Sequence, residues 1–329
     1  MELVLHIGNH KTGSTAIQSV LSANCTTLEN NSVLYPEIGR FAGAHHLLAT
    51  TMKKTVEKHI EEFSANQNQG GAKIFEEFLT EITLIRENAK HGKIIFSSEE
   101  FFNVNNLDID KVEKLFSLFN KVTIVCYLRN QVEHIESTYK FSVAWDSSKE
   151  HRQFDDFVAE HLSSNYHEYL GTLRFWSQFK NTTVKCLAFD EAKSNLIDSF
   201  LDAINLGELK QIMDTTKTSK NESVPLDIVM LYRFLNSKNL NSEQIRKIER
   251  SYKAIDDTST PLQFDTLLTY DQYIQIRDRF KVSNQALHQE FKINLNRYIP
   301  DPKDKAFRKD SVIMDGHSPK QLIQILVSL

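Results

Sequence analysis

The chain has 329 residues, 40% of them hydrophobic and 25% charged, and a formal net charge of −4. That length supports a sizeable core, and the balance is that of a globular protein. The charge gives no support to nucleic-acid binding or to an anionic membrane surface, so any site for an anion must be basic locally.

In chain order, residues 3–7 are short, apolar and bounded by Gly8, which predicts a buried strand. Ser14 or Thr15 then opens a helix with Ile17, Val20 and Leu21 on one stripe. Residues 30–92 are less regular: an extended piece at 33–36, a helix at 45–54, a loop at 67–71 and a helix at 74–88. The run at 93–97 (KIIFS) predicts a second strand, followed by a helix at 110–120. Residues 122–128 (VTIVCYL) are apolar and β-branched and predict a third strand. Helices follow at 131–143 and 166–179, then a fourth strand at 182–189 and a helix at 196–204.

Strands alternating with helices predict a three-layer α/β/α fold with a central parallel sheet of about four to five strands. After residue 222 the pattern is helical, near 225–238, 241–253 and 270–292, without a clear strand. The reading therefore divides the chain into a core, 1–215, with the insertion 30–92 shaping part of it, and a helical C-terminal part, 216–329. There is no internal repeat or low-complexity tract.

Cys25, Cys126 and Cys186 lie far apart without a C-x-x-C pair, which argues against a disulfide framework and against structural zinc. No export pattern opens the chain and no apolar stretch approaches the ~20 residues of a membrane span. The expectation is a cytoplasmic protein with reduced thiols; Asn181 and Asn221, in Asn-x-Ser/Thr triplets, are then chance occurrences.

Two motifs carry chemistry. Gly8-Asn9-His10-Lys11-Thr12-Gly13-Ser14-Thr15 lies between the first strand and its helix. Two glycines permit a tight turn, a helix N-terminus adds partial positive charge, and Lys11 adds a full one. Ser14 and Thr15 can cap the helix and bond phosphate oxygens. In the usual nucleotide loop, G-x-x-x-x-G-K-[ST], the lysine follows the second glycine and the next hydroxyl holds magnesium; here Lys11 precedes Gly13, so that pairing is absent. A plain βα turn is the competing reading.

Arg129 closes the third strand, at the sheet edge where open parallel sheets bind ligands, and its guanidinium suits a phosphate. Ser137, eight residues on, lies about 200° around the helix from Ile135 at 100° per residue. It thus faces away from the stripe of Val132, Ile135 and Tyr139. A surface serine and a strand-end arginine in an ion pair are the competing reading.

Together, Lys11 to Thr15 and the stretch VCYLRNQVEHIESTY (125–139) resemble the PAPS-dependent sulfotransferases, which use 3'-phosphoadenosine 5'-phosphosulfate (PAPS) as sulfuryl donor. The likeness covers roughly residues 2–205, with softer similarity at Leu173, Trp176 and Phe179, at Phe189-Asp190-Glu191 and at Asn221-Glu222-Ser223. It implies a P-loop-like fold, with Lys11, Thr12, Gly13, Ser14 and Thr15 on the 5'-phosphosulfate and Arg129 and Ser137 on the 3'-phosphate. The family's C-terminal Arg-Lys-Gly-x-x-Gly loop is absent; Arg308-Lys309 is a weak substitute. The implied reaction needs no metal and leaves PAP, with an acceptor that by resemblance is a saccharide hydroxyl.

The acceptor hydroxyl or amine needs a base within hydrogen-bond reach. Glu99, in Ser97-Ser98-Glu99-Glu100 after the second strand, is one candidate, with Glu100 placed to close a capping box on Ser97. His45 or His46 is the other, and His10 is placed to touch the sulfate. A P-loop kinase or a non-catalytic nucleotide-binding module remain the alternative readings.

Overall fold

The computed structural model describes residues 1–55, 71–88, 91–144, 149–216, 224–238, 240, 243–244, 246–248, 250 and 264–309. Most of the loop expected at 67–71, the Asn221-Glu222-Ser223 triplet and much of the helix expected at 241–253 lie outside the described residues.

Five strands, β1 (Glu2–His6), β2 (Val33–Leu34), β3 (Lys93–Ser97), β4 (Lys121–Leu128) and β5 (Thr182–Ala188), form one sheet in the order β2-β3-β1-β4-β5. Every pairing is parallel, with His6 level with Ser97 on one side and with Val125 on the other. Leu3, Val4, Leu5, Ile94, Ile95, Phe96, Ile124 and Val125 are all inaccessible. β1, β3 and β4 are covered on both faces, which is why they read as apolar runs rather than as alternations; β5, at the sheet edge, is mostly half-buried. The chain is thus a three-layer α/β protein, as expected.

Between β1 and β4 lie α1 (Ser14–Ala23), α2 (Cys25–Asn30), α3 (His46–Thr51), α4 (Gly71–Asn88) and α5 (Ile109–Ser117). Then come α6 (Gln131–Ala144), α7 (Phe154–Ser163), α8 (Tyr169–Ser177), α9 (Phe189–Ala192) and α10 (Leu196–Ala203), and finally α11 (Leu226–Asn236) and α12 (Tyr270–Phe291). Val4, Ile95, Val125 and Tyr127 pack on Ile17, Val20 and Leu21 of α1 and on Phe200 and Leu201 of α10. Trp176 of α8, fully buried, meets Phe101 and Phe116 with ring centroids 6.3 and 5.8 Å apart. Cys25 and Cys186 are half-buried, Cys126 is buried, and none is in a disulfide.

Compactness groups the chain into two units that alternate along the sequence. One comprises Met1–Arg129, Glu168–Lys220 and Ser283–Leu295 and contains the sheet; the other comprises Asn130–His167, Asn221–Val282 and Asn296–Leu329. The second unit is helical in its described part and has its own core, including Ile135, Tyr139, Phe154, Phe157, Leu267, Ile276 and Phe280. Asn130 opens α6: its carbonyl accepts from the His134 N–H and its side chain from the Glu133 N–H. No described helix is long and apolar enough to cross a membrane.

The topology fixes where a ligand belongs. The chain leaves β1 toward β2 on one side, whereas it leaves β4 toward β5 on the other. Adjacent strands whose connections diverge open a crevice at their carboxyl ends. The loop after β1 and Arg129 after β4 flank that crevice.

Candidate functional site

The β1–α1 loop is held in an unusual backbone path. Gly13 has φ 81° and Lys11 has φ 61°, both left-handed. A Cβ on Gly13 would lie 2.2 Å from Leu196 Cδ2, so glycine is required there for space as well as for conformation. A Cβ on Gly8 would lie 2.0 Å from Ser14 Oγ. The Asn9 carbonyl gathers the loop by accepting from Thr12 Oγ1 at 2.6 Å and Ser14 Oγ at 3.4 Å.

Ser14 and Thr15 do not cap α1 as expected. Gly13 is the N-cap residue and makes no side-chain cap bond. Its carbonyl accepts from the Ala16 and Ile17 N–H groups. Among the described residues no backbone acceptor meets the N–H groups of Gly13, Ser14 or Thr15, which leaves donors of the kind that bind phosphate or sulfate.

Burial, and then the charge of Arg129, push the Lys11 ammonium below its ordinary pKa. Two cations thus share one crevice, and an anion between them would relieve both penalties. Arg129 is partly fixed: its Nε lies 3.6 Å from Asp190 Oδ1, and its guanidinium sits 5.7 Å from the centre of the Phe189 ring. The strand-end ion pair therefore exists, and it orients Arg129 at the crevice. Phe189 also borders the loop, 3.2 Å from the Cβ position of Gly13. Ser137 lies on α6, in the other compact unit, half-buried on a helix whose other residues are mostly buried. Arg308, the weak substitute for a C-terminal nucleotide loop, is buried in its own unit, donating to the Leu267 carbonyl and to Asp155.

At the end of β3 a polar array surrounds Glu99. Gln18 of α1 donates through Nε2 to Glu99 Oε2 at 2.9 Å and approaches Ser97 Oγ at 3.3 Å. Ser97 Oγ lies 2.7 Å from His6 Nδ1. On the other side, His46 Nε2 lies 4.0 Å from Glu99 Oε2, and His46 Nδ1 lies 2.8 Å from Ser98 Oγ. Glu99 keeps 11% of its side-chain surface and His46 keeps 35%, so both meet solvent.

The expected capping box on Ser97 is replaced by a different arrangement. Ser98 caps the short turn at Glu99–Phe101 and accepts from the Glu100 N–H, because Ser97 is drawn inward to His6. Burial, the largest single influence, raises the Glu100 carboxyl, but its 2.7 Å hydrogen bond from Lys53 and the charges of Lys53, His10 and His46 together leave the pKa below the ordinary value.

The two neighbouring histidines part company. His45 is wholly buried, with Nδ1 accepting from the Ser97 N–H and Nε2 donating to the Pro36 carbonyl. Burial drives its pKa down to about 3. Both ring nitrogens hold the backbone together, whereas His46 faces Glu99. His10 is exposed on the loop. Gln18 was not among the expected site residues. Its signal was a polar side chain four residues beyond Ser14 on the buried face of α1. Among the described residues, no group of three or more His, Cys, Asp or Glu side chains is arranged to hold a metal ion.

No known family profile matches the sequence. The chain is 25% identical over 239 residues to an uncharacterized protein of Archaeoglobus fulgidus, a match covering 70% of this chain and 61% of that protein, so it spans about three-fifths of that relative's length. Among solved structures, a sulfotransferase from Alicyclobacillus acidocaldarius aligns with a TM-score of 0.42 at 12% identity, over 74% of this chain and 98% of that one.

Proposed function

We propose that this chain is a PAPS-dependent sulfotransferase that moves the sulfuryl group to an acceptor hydroxyl or amine, with a saccharide hydroxyl as the first acceptor class to examine. The observation that carries this reading is the meeting of Lys11 and Arg129 at the crevice of a parallel sheet, beside the N–H groups of Gly13, Ser14 and Thr15, which have no backbone acceptor among the described residues. Sulfuryl transfer shares the demands of phosphoryl transfer: positioning, and cations on a loose in-line transition state.

In this reading the loop from Lys11 to Thr15 takes the 5'-phosphosulfate. The Lys11 ammonium stabilises the oxygen that becomes the leaving phosphate. Arg129 takes the 3'-phosphate; the assignment of Ser137 to that phosphate rests on its sequence spacing alone. The acceptor oxygen or nitrogen attacks sulfur, the bond from sulfur to the bridging oxygen breaks, and PAP departs. Glu99 receives the acceptor proton, held by Gln18 and adjoined by His46, which stands in reserve for that role. No step calls for a metal. Calorimetry with PAP against ATP–magnesium tests the donor: tighter binding of PAP is expected, and a preference for ATP–magnesium would overturn the reading in favour of a kinase or nucleotidase. PAPS turnover across an acceptor panel then separates an enzyme from a binding module.

A further inference from the structure

Ser98 fixes which nitrogen of His46 carries a proton. The Ser98 side chain is wholly buried. Its oxygen accepts from the Glu100 N–H at 3.1 Å and lies 2.8 Å from His46 Nδ1. Among the described residues it meets no other acceptor, so its own O–H proton has one place to go, His46 Nδ1. A neutral imidazole has one N–H and one bare nitrogen. With Nδ1 bare, the proton of a neutral His46 is on Nε2, and a cationic His46 carries one there as well. In both states the nitrogen that faces Glu99 is a donor.

That donor does not bond Glu99 itself. His46 Nε2 and Glu99 Oε2 are 4.0 Å apart, beyond hydrogen-bond range. An oxygen placed about 2.8 Å from each would see them about 90° apart, an angle that a hydroxyl spans with one lone pair and its O–H. Gln18 holds the far side of the gap: it donates to Glu99 Oε2 at 2.9 Å and leaves that oxygen a second lone pair. Gln18 lies on α1, whose N-terminus carries the phosphate loop, so one helix ties the donor loop to this pair.

We propose that His46 is a hydrogen-bond donor to the acceptor rather than a base: its Nε2–H binds the acceptor oxygen while Glu99 takes that oxygen's proton, and the site thereby selects a hydroxyl over an amine. On the sulfuryl-transfer reading, on which this role rests, His46 is no longer a base in reserve.

Lone-pair counting gives the selection. A hydroxyl oxygen has two lone pairs and one proton. One lone pair accepts from His46 Nε2–H, the other attacks sulfur, and the proton passes to Glu99 Oε2. The new O–S bond forms as the bond from sulfur to the bridging oxygen breaks, and that electron pair leaves on the phosphate of PAP. A neutral amine has one lone pair, which the attack on sulfur uses, and its remaining N–H would point at the His46 N–H. An ammonium has no lone pair at all. Two donors left facing each other lose a hydrogen bond apiece, so an amine should react at least about tenfold more slowly than a hydroxyl on the same scaffold.

The test uses the full chain, and its first part needs no donor. Nitrogen-15 NMR of histidine-labelled protein at pH 8, with His46 assigned by its absence in His46→Gln, should show Nε2 protonated. In Ser98→Ala the hydroxyl is gone and His46 should shift toward the Nδ1–H tautomer. A bare Nε2 in the wild type, or a tautomer unchanged in Ser98→Ala, would overturn the assignment; the wild-type spectrum decides alone if Ser98→Ala fails to fold. Turnover then separates a donor from a base. Glutamine places an amide N–H near the position of Nε2, so His46→Gln should keep turnover within about tenfold, whereas His46→Leu should lose on the order of 10- to 100-fold with PAP affinity unchanged. Equal losses in the two would mean that His46 is the base. Whichever acceptor reacts, mass spectrometry and NMR should find its sulfate on oxygen, and sulfation of an amine would overturn the selection. Absence of PAPS turnover in the wild type would instead remove the sulfuryl-transfer reading, and with it the acceptor role, while the His46 tautomer is read independently.

Discussion

The Arg129 assignment yields the sharpest prediction, because Asp190 sits behind it. At 3.6 Å, two unit charges interact by about 5 kcal/mol at an effective dielectric of ~20. Asp190 keeps only 8% of its side-chain surface. Arg129→Ala therefore does two things: it deletes a phosphate ligand, and it leaves a buried carboxylate facing an incoming anion. Truncating one partner of a buried charge pair costs about 2–5 kcal/mol, so PAP affinity should fall at least ~30-fold. The double variant R129A/D190N also removes the carboxylate charge and should recover part of that loss. Asp190→Asn alone, which keeps the guanidinium, should weaken PAP by less than about tenfold. Calorimetry with PAP on the four proteins closes the cycle. Wild-type affinity in Arg129→Ala would refute the 3'-phosphate assignment. A double variant no tighter than Arg129→Ala would refute the repulsion from Asp190.

Three further outcomes are expected. Lys11→Ala should lower PAPS turnover by about 10²–10³ while weakening PAP binding far less, since its charge is needed most where charge develops; alanine shares the left-handed backbone cost at φ 61°, so the change reports the ammonium alone, and radiolabelled PAPS consumption beside calorimetry checks it. Gly13→Ala places a methyl 2.2 Å from Leu196 Cδ2 at φ 81° and should destabilise the protein by about 1–3 kcal/mol, read as a lowered midpoint in urea. Burial holds His6 down to about 4 and His45 down to about 3; both are depressed below an unfolded value near 6.5, so stability is full above that pH and is lost as pH falls toward 4 and 3. The combined loss is several kcal/mol, and urea titrations at pH 7 and pH 4.5 should show it diminished in His45→Gln, where one of these protonation sites is gone.

What was legible in the sequence is what depends on local pattern. The strands at 3–7, 93–97, 122–128 and 182–189 appear within a residue or so of their expected limits; for the first three, burial on both faces leaves apolar runs between polar edges, whereas β5, at the sheet edge, is mostly half-buried. Lys11 and Arg129 were legible as partners because strand ends in a parallel sheet all point to one side. Helix α7 was passed over: only Phe154, Phe157 and Val158 form its buried face. The stripe argument for α6 was incomplete, since His134, Glu136 and Thr138 are buried along with Ile135 and Tyr139.

The candidate base shows where sequence reasoning stops. His45 and His46 are adjacent and chemically identical, yet one is a backbone strut and the other faces Glu99. What separates them is the partner each meets: the Ser97 N–H for His45 and Ser98 Oγ for His46, each 52 residues away. Because β1 and β3 pair with His6 level with Ser97, Ser97 is drawn to His6. That frees Ser98 to cap the turn and turns Glu99 toward Gln18 and His46. The polarity of the whole array thus follows from one register match between strands ninety-one positions apart. A substitution that breaks the match, such as Ser97→Val, should disturb Glu99 without touching it: the valine leaves the buried His6 Nδ1 without its partner and removes one of two groups facing Gln18 Nε2. The measurable consequence is a fall in turnover with PAP affinity retained, since the phosphate loop and Arg129 are supported elsewhere. Equal losses in both would mean that Ser97 supports the loop, and the separation of donor binding from proton acceptance would fail.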